Sequence, residues 1–390
     1  MIRSWTLTEL NRSIPERCDP RPPAHRPADL GDGSDVWLLQ AARAVIDESP
    51  LGSVRLARWD HVPHDAEANH LAPLLDVLLR THEHNAPEAV VHQLRALALR
   101  HAAWHRTRTG VLLEILGEFD RLSIDALVLK GAALAWMIYP SPSLRPMVDL
   151  DVMVPRARAG DAQAALGRLG FVTEPEPERF RRNAHHLPVA HRLDDGLLVN
   201  VEVHVDALSR DAPSTIAMSN LTEPPQPFIV NGTRRLTLGH LDMLRHLTHH
   251  LLEPSPNGRV RLIGIVDLLS YASAFNERID WRRLQSDFGF VTNTLACLHH
   301  LVPLPDALLR FAPLPANVAP DRVGEIVRPL RSVLMEGQPL RAIFQELFNP
   351  PDWWMHAFYN VPPDRSLTPV RVFRHPWQLA RWFALRVAGF

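Results

Sequence analysis

The sequence predicts an α+β fold, a small mixed sheet with its own helices, flanked by helical regions on both sides. Three observations carry this expectation. Apolar residues recur at three- and four-residue steps before residue 120 and again after residue 239. Between these stretches the pattern changes to short apolar strands, SIDALVLKG, MVDLDVMV and Leu197–Val205, which alternate with helical segments. Asp194-Asp195-Gly196 stands between two alternating runs, a hairpin signal.

Taken in order, residues 1–35 are rich in Pro, Arg and Asp and read as an irregular arm. Residues 36–120 form an N-terminal helical region. In it Val90, Leu94 and Leu97, then Leu112, Ile115, Leu116 and Phe119, follow helical spacing. Residues 121–238 form the sheet unit. SIDALVLKG is a buried strand that ends in a glycine turn, GAALAWMIY a helix, MVDLDVMV a second strand and RAGDAQAALGRLG a second helix. His186–Leu193 and Leu197–Val205 form the hairpin, and Arg234–Leu238 adds a short edge strand. Residues 239–390 return to helices, among them GHLDMLRHLTHHLL, RLIGIVDLLSYASAF and an amphipathic final segment, PWQLARWFALRVAGF, expected to pack on the helical region.

Composition narrows the classes. The 390 residues suffice for two or three domains, or one core with large additions, and 46% are hydrophobic. No apolar run approaches the roughly 20 residues that span a bilayer, and the N-terminus lacks the apolar stretch of a secretory signal. A cytoplasmic protein without a transmembrane segment is the expectation. A net charge of −1 argues against a nonspecific nucleic-acid binder. Cys18 and Cys297 form no CxxC pair, so zinc and redox motifs have no support. The 42 strong bases include one lysine, Lys130. Where the chain otherwise uses arginine for positive charge, this position suits a compact ammonium better than a planar guanidinium.

The chemistry gathers near that lysine. Asp149 and Asp151 lie two apart on a predicted strand and share one face, with Val148, Leu150 and Val152 facing a core. Neighbouring carboxylates repel, and a divalent cation with a preference for oxygen ligands is a common reason to tolerate them. In VEVHVD the valines take one face and Glu202, His204 and Asp206 the other. If this strand neighbours the aspartate strand, Glu202 completes a triad able to hold metal for phosphoryl chemistry. In LVLKGAALAW a strand ends at Lys130 and Gly131 opens a helix. The free N–H groups there, the room that glycine leaves, and the ammonium suit a phosphate. Arg145 is a further candidate, on phosphate or bracing the carboxylates. A solvent-facing acidic sheet surface and an ordinary strand–helix turn are the plainer alternatives. His246 and His250 share a helix face, but the third ligand or HExxH frame of a zinc site is missing. Arg261 and Asp267 are candidates for lining the cleft or for a structural ion pair.

The ordered series Lys130-Gly131, Tyr139-Pro140, Arg145, Asp149-x-Asp151, Leu169-Gly170-Phe171 and Glu202-x-His204 resembles a bacterial nucleotidyltransferase family of the DNA polymerase beta superfold. The resemblance is strongest over residues 123–205 and extends more loosely from about 59 to 290. It implies the superfold's small sheet, a nucleoside triphosphate, and magnesium or manganese held by Asp149, Asp151 and Glu202. The nucleotide would lie on Lys130, Gly131 and Arg145, with His204 as a possible accessory. The implied activity is transfer of a nucleoside monophosphate to a hydroxyl-bearing small-molecule, peptide or protein acceptor. The turn departs from the wider superfold, which carries Gly-Ser or Gly-Gly where this chain has Lys-Gly. A catalytically inactive nucleotide-binding or scaffold protein of the same fold is the alternative. A toxin-like transferase acting on tRNA is a third reading, against which the balanced charge argues.

Overall fold

A computed structural model describes residues 34–47, 59–82, 84–173, 185–208, 214–253, 261–299, 304–312, 348–350, 352–361 and 365–387. The arm expected over residues 1–35 lies outside the described residues except for its last two. The helices before the sheet are α1 (Ser34–Ile46), α2 (Val62–Ala68), α3 (Ala72–Thr81) and α4 (Glu88–Arg121). At 34 residues, α4 is the longest helix among the described residues. The sheet region holds β1 (Leu127–Val128), α5 (Lys130–Met137), β2 (Asp149–Met153), α6 (Ala159–Arg168), β3 (Val172–Thr173), β4 (Ala190–Asp194) and β5 (Leu197–His204). A separate hairpin, β6 (Gln226–Val230) and β7 (Thr233–Thr237), precedes α7 (His240–Leu252), α8 (Leu262–Ala274) and α9 (Trp281–His299). Three more helices follow among the described residues: α10 (Asp306–Leu309), α11 (Asp352–Phe358) and α12 (His375–Val387).

The five-stranded sheet runs β1-β2-β5-β4-β3, and its pairs are antiparallel except for β2 with β5. Asp195 and Gly196 join β4 to β5 with φ of 48° and 78°, the two positive values of a type I′ turn, whose twist suits a hairpin. Asn231 and Gly232, at φ 45° and 79°, do the same between β6 and β7. The Asn-Gly signal was present in the sequence, but only the second strand of that hairpin was expected.

One face of the sheet is a hydrophobic layer. Leu150, Val152, Val201 and Val203 are fully buried against Val111, Leu112 and Ile115 of α4 and Ala162, Ala165 and Leu166 of α6. Each aliphatic chain buried in this way stabilises the fold by roughly 1.5–3 kcal/mol. A one-residue slip of β2 would drive Asp149 and Asp151 into this layer, so burial fixes which face carries the acids. Val148, expected in the core, is 47% exposed, because it precedes the first paired residue of β2. The second core joins helices from both flanks: α1, α3, α7, α8 and α9 share it with Leu127, Leu129 and Met153 of the sheet unit. α9 bends at Phe288, whose φ and ψ of −136° and 42° are not helical. On α12, expected to pack on the helical region, Trp377 is 72% exposed.

Candidate functional site

The parallel pairing of β2 with β5 builds the site. Its register sets Asp149 opposite Asn200 and Asp151 opposite Glu202. Asp151 is 2% exposed and Glu202 half-buried. His204, fully buried, places Nε2 2.9 Å from Asp151 Oδ1 and 3.2 Å from Glu202 Oε2. Its Nδ1 lies 3.3 Å from the Asp206 carbonyl oxygen. Acceptors at both ring nitrogens favour the imidazolium, which can donate to each. Asp151, Glu202 and His204 each offer one ligand atom within 4.8 Å of the others. The tight group is therefore this trio. Asp149, two residues back on β2, faces an asparagine across the strand pair rather than another acid.

Lys130 reaches the same centre from the start of α5. Its ammonium donates to Asp151 Oδ1 at 3.1 Å, and its side chain is 18% exposed. The backbone there adopts φ 45°, a left-handed value that costs a non-glycine residue energy and persists where surroundings enforce it. Gly131 behaves differently from the phosphate-admitting glycine of the sequence reading. A Cβ at this position would stand 3.0 Å from Arg145 Nη1 and 3.2 Å from its Cζ, so the missing side chain makes room for a guanidinium. Arg145 in turn is held by Asp267. Nε lies 3.0 Å from each carboxylate oxygen, Nη2 lies 2.6 Å from Oδ2, and Nη1 also donates to the Pro146 carbonyl. The Tyr139 hydroxyl donates to Asp267 Oδ1 at 2.6 Å. The structure thus brings Lys130, Asp149, Asp151, Glu202 and His204 together and ties Arg145 into a buried ion pair. Asp206, on the same strand face in the sequence reading, accepts the Leu208 and Ile216 N–H groups and closes a loop.

The electrostatics follow from crowding. Burial pushes the Asp151 carboxyl up, but Lys130 and His204 outweigh it and hold the group well below the usual carboxylate range. Burial and the neighbouring Asp151 charge raise Asp149, against the pull of Lys130. Burial also raises Glu202, and the His204 hydrogen bond more than reverses this. Burial alone would lower Lys130, yet Asp151, Asp149 and Glu202 together hold its ammonium protonated above the ordinary lysine value. His204 is raised because its bonds to Asp151 and Glu202 overcome burial. Three acids and two cations make a centre that is negative overall, with hard oxygen donors. That donor set suits magnesium or manganese, which prefer carboxylate oxygens.

Two neighbours came from outside the sequence candidates or stood there in another role. His246 of α7, weighed in the sequence only for zinc, is 1% exposed with neither ring nitrogen hydrogen-bonded. Burial holds it well below the ordinary histidine value, and Lys130 and His204 are among the charges acting on it. Arg108 of α4 is 5% exposed, and its Nε has no partner. Asp149 is the charge acting on it. A signal for Arg108 existed. Leu94, His101, His105, Arg108, Leu112, Ile115 and Phe119 form one buried stripe of α4, and a charged residue on such a stripe stands where an apolar one belongs.

The α+β sheet thus sets in-register carboxylates beside a lysine at a helix start. The profile of a family described as an uncharacterised nucleotidyltransferase matches residues 56–289, and the chain belongs to that family. Among solved structures it is similar to the antibiotic-resistance factor ANT(2'')-Ia in complex with adenylyl-2''-tobramycin, at 13% identity over 44% of this chain and 91% of that one, with a TM-score of 0.32. It is also similar to an antigenic nucleotidyltransferase-like protein from Paracoccidioides brasiliensis, at 17% identity over 53% of this chain and 94% of that one, with a TM-score of 0.38. No curated protein matches the chain. Among the described residues no helix is long and apolar enough to cross a membrane.

Proposed function

We propose that this protein is a magnesium-dependent nucleotidyltransferase that moves a nucleoside monophosphate from a triphosphate to a hydroxyl-bearing acceptor. The observation that carries the reading is the Asp151–Glu202 register beside the Lys130 ammonium. Asp149, Asp151 and Glu202 would hold the cation, with manganese as a substitute. When bound there, the metal would neutralise triphosphate charge and make an acceptor hydroxyl easier to deprotonate.

The chain's own residues supply the rest. Lys130, the one lysine, sits between the acids and the free N–H groups at the start of α5, and there steadies a phosphate by charge and position. His204 donates to Asp151 and Glu202 and keeps both ionised and fixed in direction. Arg145 acts indirectly: pinned by Asp267 against Gly131, it braces the turn that aims Lys130. The acceptor oxygen forms a bond to the α-phosphorus while the bond from that phosphorus to the bridging oxygen breaks. The hydroxyl proton leaves to solvent or to a carboxylate, and pyrophosphate departs. Positioning and electrostatics account for most of such a reaction's acceleration. The acceptor class is a small molecule, a peptide or a protein. The balanced charge of the chain gives nucleic acid no general footing.

The test is magnesium-dependent binding of each of the four nucleoside triphosphates by calorimetry, with pyrophosphate release as the turnover readout. Asp149→Asn and Asp151→Asn are the controls. Wild type is expected to bind in magnesium and release pyrophosphate, and both variants to lose turnover while unfolding cooperatively. Binding without turnover toward any acceptor class would favour a nucleotide-binding scaffold, and near-wild-type turnover in either variant would sink the assignment.

A further inference from the structure

We propose that Arg108 is a phosphate-binding residue of the site, its guanidinium kept buried and unpaired in the ligand-free protein for the triphosphate to occupy. The inference rests on the transferase reading and names a residue that reading did not include.

A buried charge without a partner is among the most unfavourable features a fold can carry, and proteins normally pair it or replace it. Two other buried arginines, Arg145 and Arg245, have carboxylate partners. Arg145 is gripped by Asp267, and Arg245 donates from Nη1 to Asp242 and Thr222, with only its Nε left without a partner. Arg108 is as deeply buried, at 5% exposure, yet its Nε has no hydrogen-bond partner and no carboxylate forms an ion pair with it among the described residues. Its neighbours are the Trp104 ring, 5.8 Å from Cζ, and His105, which Arg108 helps to keep neutral. Neither balances a positive charge fully: the ring contributes a weak attraction at this distance, and a neutral imidazole none of net charge.

The position is as telling as the lack of a partner. Arg108 falls on the buried stripe of α4 between His105 and Leu112, where leucine or isoleucine would pack without penalty. The one acid that acts on it is Asp149, the strand carboxylate raised by its own crowding with Asp151. Arg108 therefore stands within electrostatic reach of the acidic centre, through Asp149. An anion seated at Asp149 through a cation would meet a guanidinium whose planar donors match phosphate oxygens two at a time. A triphosphate is the anion of that kind in the proposed reaction. Its binding would supply the pairing that the folded chain withholds.

The experiment uses the full chain, with Arg108→Met and Arg108→Lys, and reads two quantities. The first is the thermal unfolding midpoint of ligand-free protein in a chelator. The second is affinity for inorganic tripolyphosphate in magnesium by calorimetry, alongside the KM and kcat for the preferred nucleoside triphosphate. Removing an unpaired buried charge should leave the Arg108→Met midpoint at or above that of wild type. The same variant should bind tripolyphosphate at least tenfold more weakly and show a KM raised by at least tenfold. Arg108→Lys keeps charge without the fork and should fall between. A folded Arg108→Met chain with wild-type tripolyphosphate affinity overturns the inference and leaves the transferase reading standing. An Arg108→Met chain that fails to fold, or melts well below wild type, shows that the guanidinium serves the ligand-free fold, and also overturns it. If wild type binds neither tripolyphosphate nor any nucleoside triphosphate, the transferase reading fails and this inference with it.

Discussion

Replacing Lys130 by methionine removes the ammonium from the acidic centre while keeping most of the side chain's length. Lys130 Nζ lies 3.1 Å from Asp151 Oδ1, with the two side chains 18% and 3% exposed. Breaking one partner out of a buried ion pair costs about 3–5 kcal/mol. Here the lower end applies, because the lysine keeps some contact with water and His204 still donates to the same oxygen at 2.9 Å. The expected loss is about 3 kcal/mol in the unfolding free energy of metal-free protein. Urea unfolding at neutral pH, with chelator and then with magnesium, reads it directly. The gap between variant and wild type should narrow in magnesium, since a cation bound only to the folded state stabilises it. The pH trend has a definite sign. Asp149 is already raised above its unfolded value, and Lys130 is the neighbour that opposes this. Without Lys130 it rises further, and a group raised on folding contributes stability at low pH that is lost as pH climbs through its folded value. Metal-free Lys130→Met should therefore recover stability on acidification below neutral pH more than wild type does. A chelator-treated variant within about 0.5 kcal/mol of wild type, with no such recovery, would refute the claim that Lys130 neutralises the acids.

Three other outcomes follow from the geometry. Gly131→Ala places a Cβ 3.0 Å from an Arg145 nitrogen that Asp267 holds in place; a loss of about 1–2 kcal/mol is expected in urea unfolding, whereas the gain normally seen for alanine in a helix would show that the guanidinium yields freely. Asp267→Asn leaves Arg145 buried without a counter-charge and should cost about 3 kcal/mol or more, against about 1.5 kcal/mol for Tyr139→Phe, which removes a hydrogen bond to a charged group; equal losses would contradict the pairing. His105 is held down to about 4, first by burial and then by the Arg108 charge. Its folded value lies below its unfolded one, so its contribution is complete above about 6.5 and is lost as pH falls toward 4; a stability profile over that range unchanged in His105→Gln would contradict a buried neutral ring.

Much of the site was legible because strand periodicity is local. Asp149 and Asp151 share a face by their spacing alone, as do Glu202 and His204. The Asp195-Gly196 turn was equally readable, since positive φ at two successive positions selects for such residues. Asn231-Gly232 carried the same signal over residues 226–237, but only the second of the two strands was anticipated there. Arg108 and His246 were harder to see, because a polar residue on a helix stripe declares its burial only when the opposing surface is known.

The sequence by itself determined which residues could share a face, where the chain turns, and that the acids stand on short strands between helical regions. Tertiary structure decided the rest. It paired β2 with β5 in parallel, which sets Asp151 against Glu202 and Asp149 against Asn200. It turned Arg145 to Asp267, 122 residues away, and gave the space beside Gly131 to that guanidinium. It also buried Arg108 with its Nε unpartnered, within electrostatic reach of Asp149. The physical reason is range: backbone stereochemistry repeats every two or 3.6 residues and is written in neighbours. The partner of a charge depends on how distant hydrophobic faces pack, and no spacing along the chain records that.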